Sequence, residues 1–153
     1  MDWRSDVTIW GIEVSSRDQA YLDMVLFEGR CIPFADNSFD AVLLIDVLHH
    51  SHDITGLFRE CVRVARRTVM VKDHVRQGFL AGPTLSFMDR VGNARFGVSV
   101  DCTYLTRNEW SALFAQSGMD VQRWVPRLGL YPWPLSLVFD RRMHFVAALQ
   151  PEK

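Results

Sequence analysis

Apolar positions change their spacing along this chain, and each change marks a predicted element. VTIWGIEV, Val7 to Val14, is rich in β-branched residues and runs into Ser-Ser, the pattern of a strand entering a loop. Ser16 to Asp23 suits a short helix, and MVLF, Met24 to Phe27, a second strand before the Glu28-Gly29 turn. AVLLI, Ala41 to Ile45, is apolar at every position rather than alternating, which predicts a central strand covered on both faces. From Ile54 the apolar residues fall at Ile54, Leu57, Phe58, Cys61, Val62 and Ala65, the stripe of a helix with one buried face. Arg66 and Arg67 are expected in its last turn, where the helix dipole favours positive charge. TVMVKDH, Thr68 to His74, is then another buried strand with a polar end.

Strand, helix and strand at this spacing form a βαβ crossover, so the sheet is predicted to be parallel with helices on its faces. Thr106 and Glu109 have the spacing of a capping box, with Leu105 and Trp110 as the hydrophobic staple and Gly118 placed to end the helix. MDVQRWV and MHFVAAL follow, with too short a connection for a crossover helix, and are expected to pair antiparallel at the sheet edge.

At 153 residues, with 48% hydrophobic and 23% charged, the chain suits a single domain with one core. A net charge of -1 gives no global drive toward nucleic acid or an anionic membrane, and a small-molecule partner fits better. Cys31, Cys61 and Cys102 are odd in number and never in a CxxC, which predicts buried free thiols rather than disulfides or zinc. The charged N-terminal stretch MDWRSDVTIW is unlike a secretory signal, and LGLYPWPLSLVF is broken by two prolines, so a cytoplasmic location is expected.

Ligands of open parallel sheets bind outside the carboxyl ends of the strands, where loops and helix N-termini converge. Here Glu13, Glu28-Gly29, Asp46 to His52 and Lys72 to His74 end four successive predicted strands. A general base is one role for His49 or His74, since histidine often moves protons near neutral pH. The run His49, His50, His52 and Asp53 also invites a metal reading. Adjacent histidines do not share a face as an i, i+4 pair would, so no metal site is predicted.

GIEVS, FEGRCIPFADNSFDAVLLIDVLHH, the helix end around REC and RVARR, and VKDH together resemble the class I S-adenosylmethionine-dependent methyltransferases of the small-molecule type. The resemblance implies a Rossmann-like, mostly parallel α/β sheet with helices on both faces and a C-terminal antiparallel strand pair. It implies S-adenosyl-L-methionine as cofactor, methyl transfer to a small-molecule acceptor as the activity, and no nucleic-acid or membrane partner. Glu13, with Val14 beside it, would accept hydrogen bonds from the two ribose hydroxyls. Glu28 and Gly29 would lie beside the adenine, and Asp46, Val47 and His49 along the methionine portion. His49 and His74 are then the candidate bases. Residues 76–104, too long for a plain connection, are the expected substrate lid, with Phe79, Phe87, Met88, Phe96 and Tyr104 suited to an apolar acceptor and Arg90 and Asn93 to a polar group on it.

One family motif has no counterpart. None of the nine glycines makes a GxG, and RSDVTIWGIEV resembles the stretch that follows the glycine-rich loop. The expectation is therefore a single methyltransferase-like domain over 1–153 that lacks its N-terminal βα unit and has a gap in its sheet, which a homodimer donating a strand is one way to fill. Two other readings stay open: a non-catalytic relative that works by binding, and a nicotinamide-dependent oxidoreductase. The second also lacks its glycine fingerprint.

Overall fold

The structure, a computed structural model, describes residues 6–14, 21–93 and 102–152. In chain order the elements are β1 (Trp10–Glu13), β2 (Asp23–Leu26), β3 (Phe39–Ile45), a 3-10 turn (Leu48–His50), α1 (Ile54–Val64), β4 (Ala65–His74), α2 (Ala81–Asn93), α3 (Arg107–Gln116), β5 (Met119–Val125), α4 (Ser136–Phe139) and β6 (His144–Pro151). The helix expected over Ser16 to Asp23 falls mostly outside the described residues, and Asp23 itself opens β2.

β3 and β4 pair in parallel, Val42 against Val69 and Leu44 against Val71, with α1 as the crossover. β6 lies between β4 and β5 and runs antiparallel to both, giving the order β3-β4-β6-β5. The expected C-terminal antiparallel pair is present, and three of these four strands point one way. β1 and β2 form a parallel pair of their own, in register from Trp10 with Asp23 to Glu13 with Leu26. No ladder joins that pair to the larger sheet among the described residues. The connection between them is tied down instead by α1. Arg63 donates to the carbonyls of Ile32 and Phe34, both at 2.9 Å, and pairs with Asp36 and Glu60.

One face of the four-stranded sheet carries the core. Leu44, Val69, Val71, Phe145, Ala147 and Leu149 meet Phe58, Cys61 and Val64 of α1 and Trp110, Leu113 and Phe114 of α3. Each large apolar side chain removed from water here contributes about 1.5–3 kcal/mol. On the other face Leu43 and Ile45 are about three-fifths exposed and Met70 more than a third. The expectation that Ala41–Ile45 is covered on both faces is therefore corrected: among the described residues, α1 and α3 both pack against the same side.

Two smaller expectations also change. α1 stops at Val64 because Ala65 is already extended and enters the ladder opposite Phe39. Arg63 takes the last turn, while Arg66 and Arg67 follow Ala65 in β4 and reach Asp40 at 3.1 and 3.6 Å. Of the three cysteines, none in a disulfide, only Cys61 is buried; Cys31 is exposed and Cys102 half-buried. The Thr106–Glu109 capping box forms, Trp110 and Leu105 both pack into the core, and Gly118 ends the segment at φ +68°. Among the described residues no helix is long and apolar enough to cross a membrane.

Candidate functional site

The carboxyl ends of β3 and β4 converge. The amide of Asp46 donates to the Lys72 carbonyl at 2.8 Å, extending the parallel ladder by one residue. Asp46 then takes a φ of +53°, a conformation an aspartate tolerates better than most residues, and the chain turns into Leu48–His50. Its carboxylate pairs with the Lys72 ammonium through Oδ2, while Oδ1 is buried without a hydrogen-bond partner.

Asp73, wholly buried, organises the turn. It accepts from the amides of Leu48 at 3.1 Å and His74 at 2.6 Å, and it meets Nδ1 of His49 at 2.6 Å. A carboxylate can only accept, so His49 carries a proton on Nδ1 and turns Nε2 inward. That Nε2 is buried, has no hydrogen-bond partner, and lies 3.7 Å from Asp89 of α2. His74, at the end of β4, places Nδ1 3.1 Å from Nδ1 of His144 and Nε2 3.4 Å from Asp89. The Tyr104 hydroxyl donates to Asp89, and Cys102 Sγ lies 3.3 Å from His50 Nδ1.

This packing shifts the titrating groups. Burial works against charge on His49, but the hydrogen bond to Asp73 and the charges of Asp73, Asp89 and Asp46 outweigh it and raise its pKa above the ordinary value. Burial, then the charges of His74 and Lys72, push His144 down to about 4, so it is neutral. His50 is also lowered, by burial and by His49. Burial opposes ionisation of Asp89, yet bonds from His74 and Tyr104 hold it at about 2. The Tyr104 hydroxyl is pushed well up by burial and by Asp89.

A second set of rim residues lies at the ends of β1 and β2. The Phe27 amide donates to the Glu13 carbonyl at 3.0 Å, and Gly29 turns at φ +80° where a Cβ would stand 3.3 Å from Val14 Cγ1. Glu13, Val14, Glu28 and Gly29 are thus brought together. Gly29 leaves the close approach that a flat ring needs, and the orphaned Asp46 Oδ1 offers an acceptor to an ammonium group. Both features fit the cofactor implied by the resemblance.

The sequence placed His49, His74 and Asp46 at one rim, and the structure brings all three together; Val47 is beside them but substantially exposed. His52 stays out of the cluster, and Asp53 caps α1 by accepting from the Gly56 amide at 2.8 Å. In the lid segment Phe79 and Phe87 are exposed, whereas Met88 and Tyr104 pack with Ala81, Leu85 and Met143. Phe96 and the Asn93 side chain lie outside the described residues. Sequence reasoning missed Asp73, Asp89 and His144 as site residues. Asp89 had a signal: Ala81, Leu85 and Asp89 repeat at i, i+4 and i+8, which puts a carboxylate in the buried stripe of a helix.

A sequence model of the family described as methyltransferase domain matches residues 8–71. No curated protein sequence matches the chain. Among solved structures, the chain resembles one from a complex between the Haloferax volcanii Trm112 methyltransferase activator and a methyltransferase, with TM-score 0.67 and 15% identity over 94% of this chain and 72% of that one. A Thermotoga maritima S-adenosylmethionine-dependent methyltransferase aligns with TM-score 0.61 and 18% identity, over 86% of this chain and 65% of that one. One from Mesorhizobium loti gives 0.63 and 11%, over 94% and 80%.

Proposed function

We propose that the chain is, by family resemblance, a methyltransferase of the S-adenosylmethionine-dependent class, and that it methylates a small-molecule acceptor held between the β3–β4 rim and α2. The observation that carries this reading is the buried His49–Asp73 pair, whose Nε2 has no hydrogen-bond partner and faces α2. Bound S-adenosylmethionine supplies an already activated methyl group, so the protein's work is to align, to exclude water and to take a proton. Glu13 with Val14 would hold the ribose, Glu28 and Gly29 the adenine end, and Asp46, Val47 and His49 the methionine portion. His49 would receive the acceptor's proton at Nε2, with Asp73 steadying the resulting imidazolium, and His74 is the second candidate base. Residues 76–104 would close over the acceptor as a lid within a single domain.

A second reading is a fold relative that binds without transferring methyl groups. Calorimetric titration of S-adenosylhomocysteine into the chelator-treated chain separates the two. Saturable binding that Glu13→Ala weakens at least tenfold supports the enzyme, and His49→Gln should then weaken that binding less than Glu13→Ala does while losing roughly 100-fold or more in turnover on any acceptor found. A folded chain that takes up no S-adenosylhomocysteine favours the second reading.

A further inference from the structure

Three side-chain groups at the rim lie within 4.8 Å of one another, and a fourth, from α2, approaches two of them. They are Oδ1 of Asp46, Nε2 of His49, Nε2 of His74 and the carboxylate of Asp89, contributed by the β3 end, the 3-10 turn, β4 and α2. Two of these atoms, Asp46 Oδ1 and His49 Nε2, are buried without any hydrogen-bond partner. Carboxylates and imidazole nitrogens gathered this closely away from water need positive charge between them, which a proton shared by His74 and Asp89 supplies only in part and a bound cation would supply fully.

We propose that Asp46, His49, His74 and Asp89 form a binding site for one divalent transition-metal cation of the zinc type. Two imidazoles with two carboxylates make a borderline donor set that suits zinc and its neighbours better than magnesium or calcium, which want oxygen alone. The dimensions agree. His74 Nε2 is 3.4 Å from Asp89 and 4.0 Å from Asp46, His49 Nε2 is 3.7 Å from Asp89, and the Asp46, His49 and His74 atoms lie within 4.8 Å of one another. A tetrahedral zinc with bonds of about 2.0–2.1 Å sets its ligands about 3.3 Å apart, so small inward movements complete the site.

Each ligand also has an outer partner. Asp73 fixes His49 through Nδ1, His144 meets Nδ1 of His74, Lys72 holds the other oxygen of Asp46, and Tyr104 donates to Asp89. Carboxylate–histidine–metal relays of this kind orient ligands in metal sites. Four protein ligands close the coordination shell, so the cation would fasten α2 onto the rim. It would occupy the lone pairs that His49 and His74 otherwise offer an acceptor, and so the loaded chain and the chain acting through a histidine base are alternative states. The site rests on its ligand geometry and does not require methyl transfer.

Zinc titrated calorimetrically into the metal-stripped chain should bind with one equivalent, and cobalt(II) should give the ligand-field absorption of a tetrahedral ion. Asp89→Asn and His74→Ala should each weaken zinc by about 100-fold or more, and Asp73→Asn by about tenfold, while His50→Ala leaves it unchanged. Should a variant fail to fold, imidazole nitrogen spectra of the unaltered chain decide: zinc must shift Nε2 of His49 and His74 and leave Nδ1 of His49 protonated. A folded chain that takes up no zinc, or zinc lost in His50→Ala and Cys102→Ala but kept in Asp89→Asn, overturns the proposal. None of these readouts involves S-adenosylhomocysteine, so a failure here stays separate from a failure of the methyltransferase reading.

Discussion

The two ends of the candidate site are built on opposite terms. At the β3–β4 end the polar groups are buried and bonded: Asp73 serves three partners from full burial, on strands whose inner face is closed by α1 and α3. At the β1–β2 end a two-stranded ladder stands apart from the larger sheet, with Trp10, Leu22 and Leu26 substantially exposed. Two strands without a shared sheet are marginal by themselves, so this end depends on what it leans against. A site made of one buried half and one half that touches the core through little more than Ile12 and Phe27 should recognise ligands tightly at the first and adjust at the second.

The sharpest way to break that comparison is at Asp73. Asp73→Ala strands the Leu48 and His74 amides and His49 in the interior, and removal of a buried charged partner costs about 3–5 kcal/mol. Urea unfolding should show this as a lower midpoint with an unchanged slope. Phe58→Ala, which opens a cavity between α1 and Phe114, is expected to cost about as much, roughly 3–5 kcal/mol, whereas Leu26→Ala on the exposed β2 should cost less than about 1 kcal/mol. Equal losses at Phe58 and Leu26 would end the distinction between the halves.

How much of this was legible follows the same division. Local signals read well: the Thr106–Glu109 box, the stripe of α1 and the strand Met119–Val125 need only neighbouring residues. Ala41–Ile45 misled, because an all-apolar run reports what a strand can bury and not what is present to cover it. The histidines were read by spacing, which tested His49 against His50 and dismissed a shared site. The fold pairs His49 with His74, 25 residues on, and adds Asp89 from a helix the sequence reading treated only as part of a lid. Side chains that converge from separate elements leave no periodicity for a sequence to display.

A smaller effect belongs to α3. Thr106→Ala removes the acceptor for the Glu109 amide and half of the box, at about 1 kcal/mol, and should leave exchange at the β1–β2 amides unaltered because α3 packs on the four-stranded sheet and α1. Hydrogen exchange after that substitution gives a baseline for disturbances that do not cross between the halves.

The joint between the halves gives the smallest change in global stability and the most local one. Glu60 accepts from the Ile32 amide at 2.9 Å and pairs with Arg63, which in turn holds the carbonyls of Ile32 and Phe34. Phe34 then stacks edge-on against Phe39 at 4.8 Å and Trp10 at 6.1 Å, linking β3 to β1. The hydrogen bond from Arg63 holds the Glu60 carboxyl below its ordinary 4.5, with the Ile32 amide adding to the effect. A depressed folded-state pKa means that the pair's contribution is complete above the unfolded value and disappears as pH falls through the lowered one. Acid should therefore loosen residues 32–36 and the β1–β2 pair before it reaches β4 and β6. Glu60→Gln should abolish that pH dependence, leaving fast exchange at β1–β2 at every pH. If β1–β2 and β4 instead open together in both proteins, the two halves are one cooperative unit, and the contrast between them is a matter of exposure and not of stability.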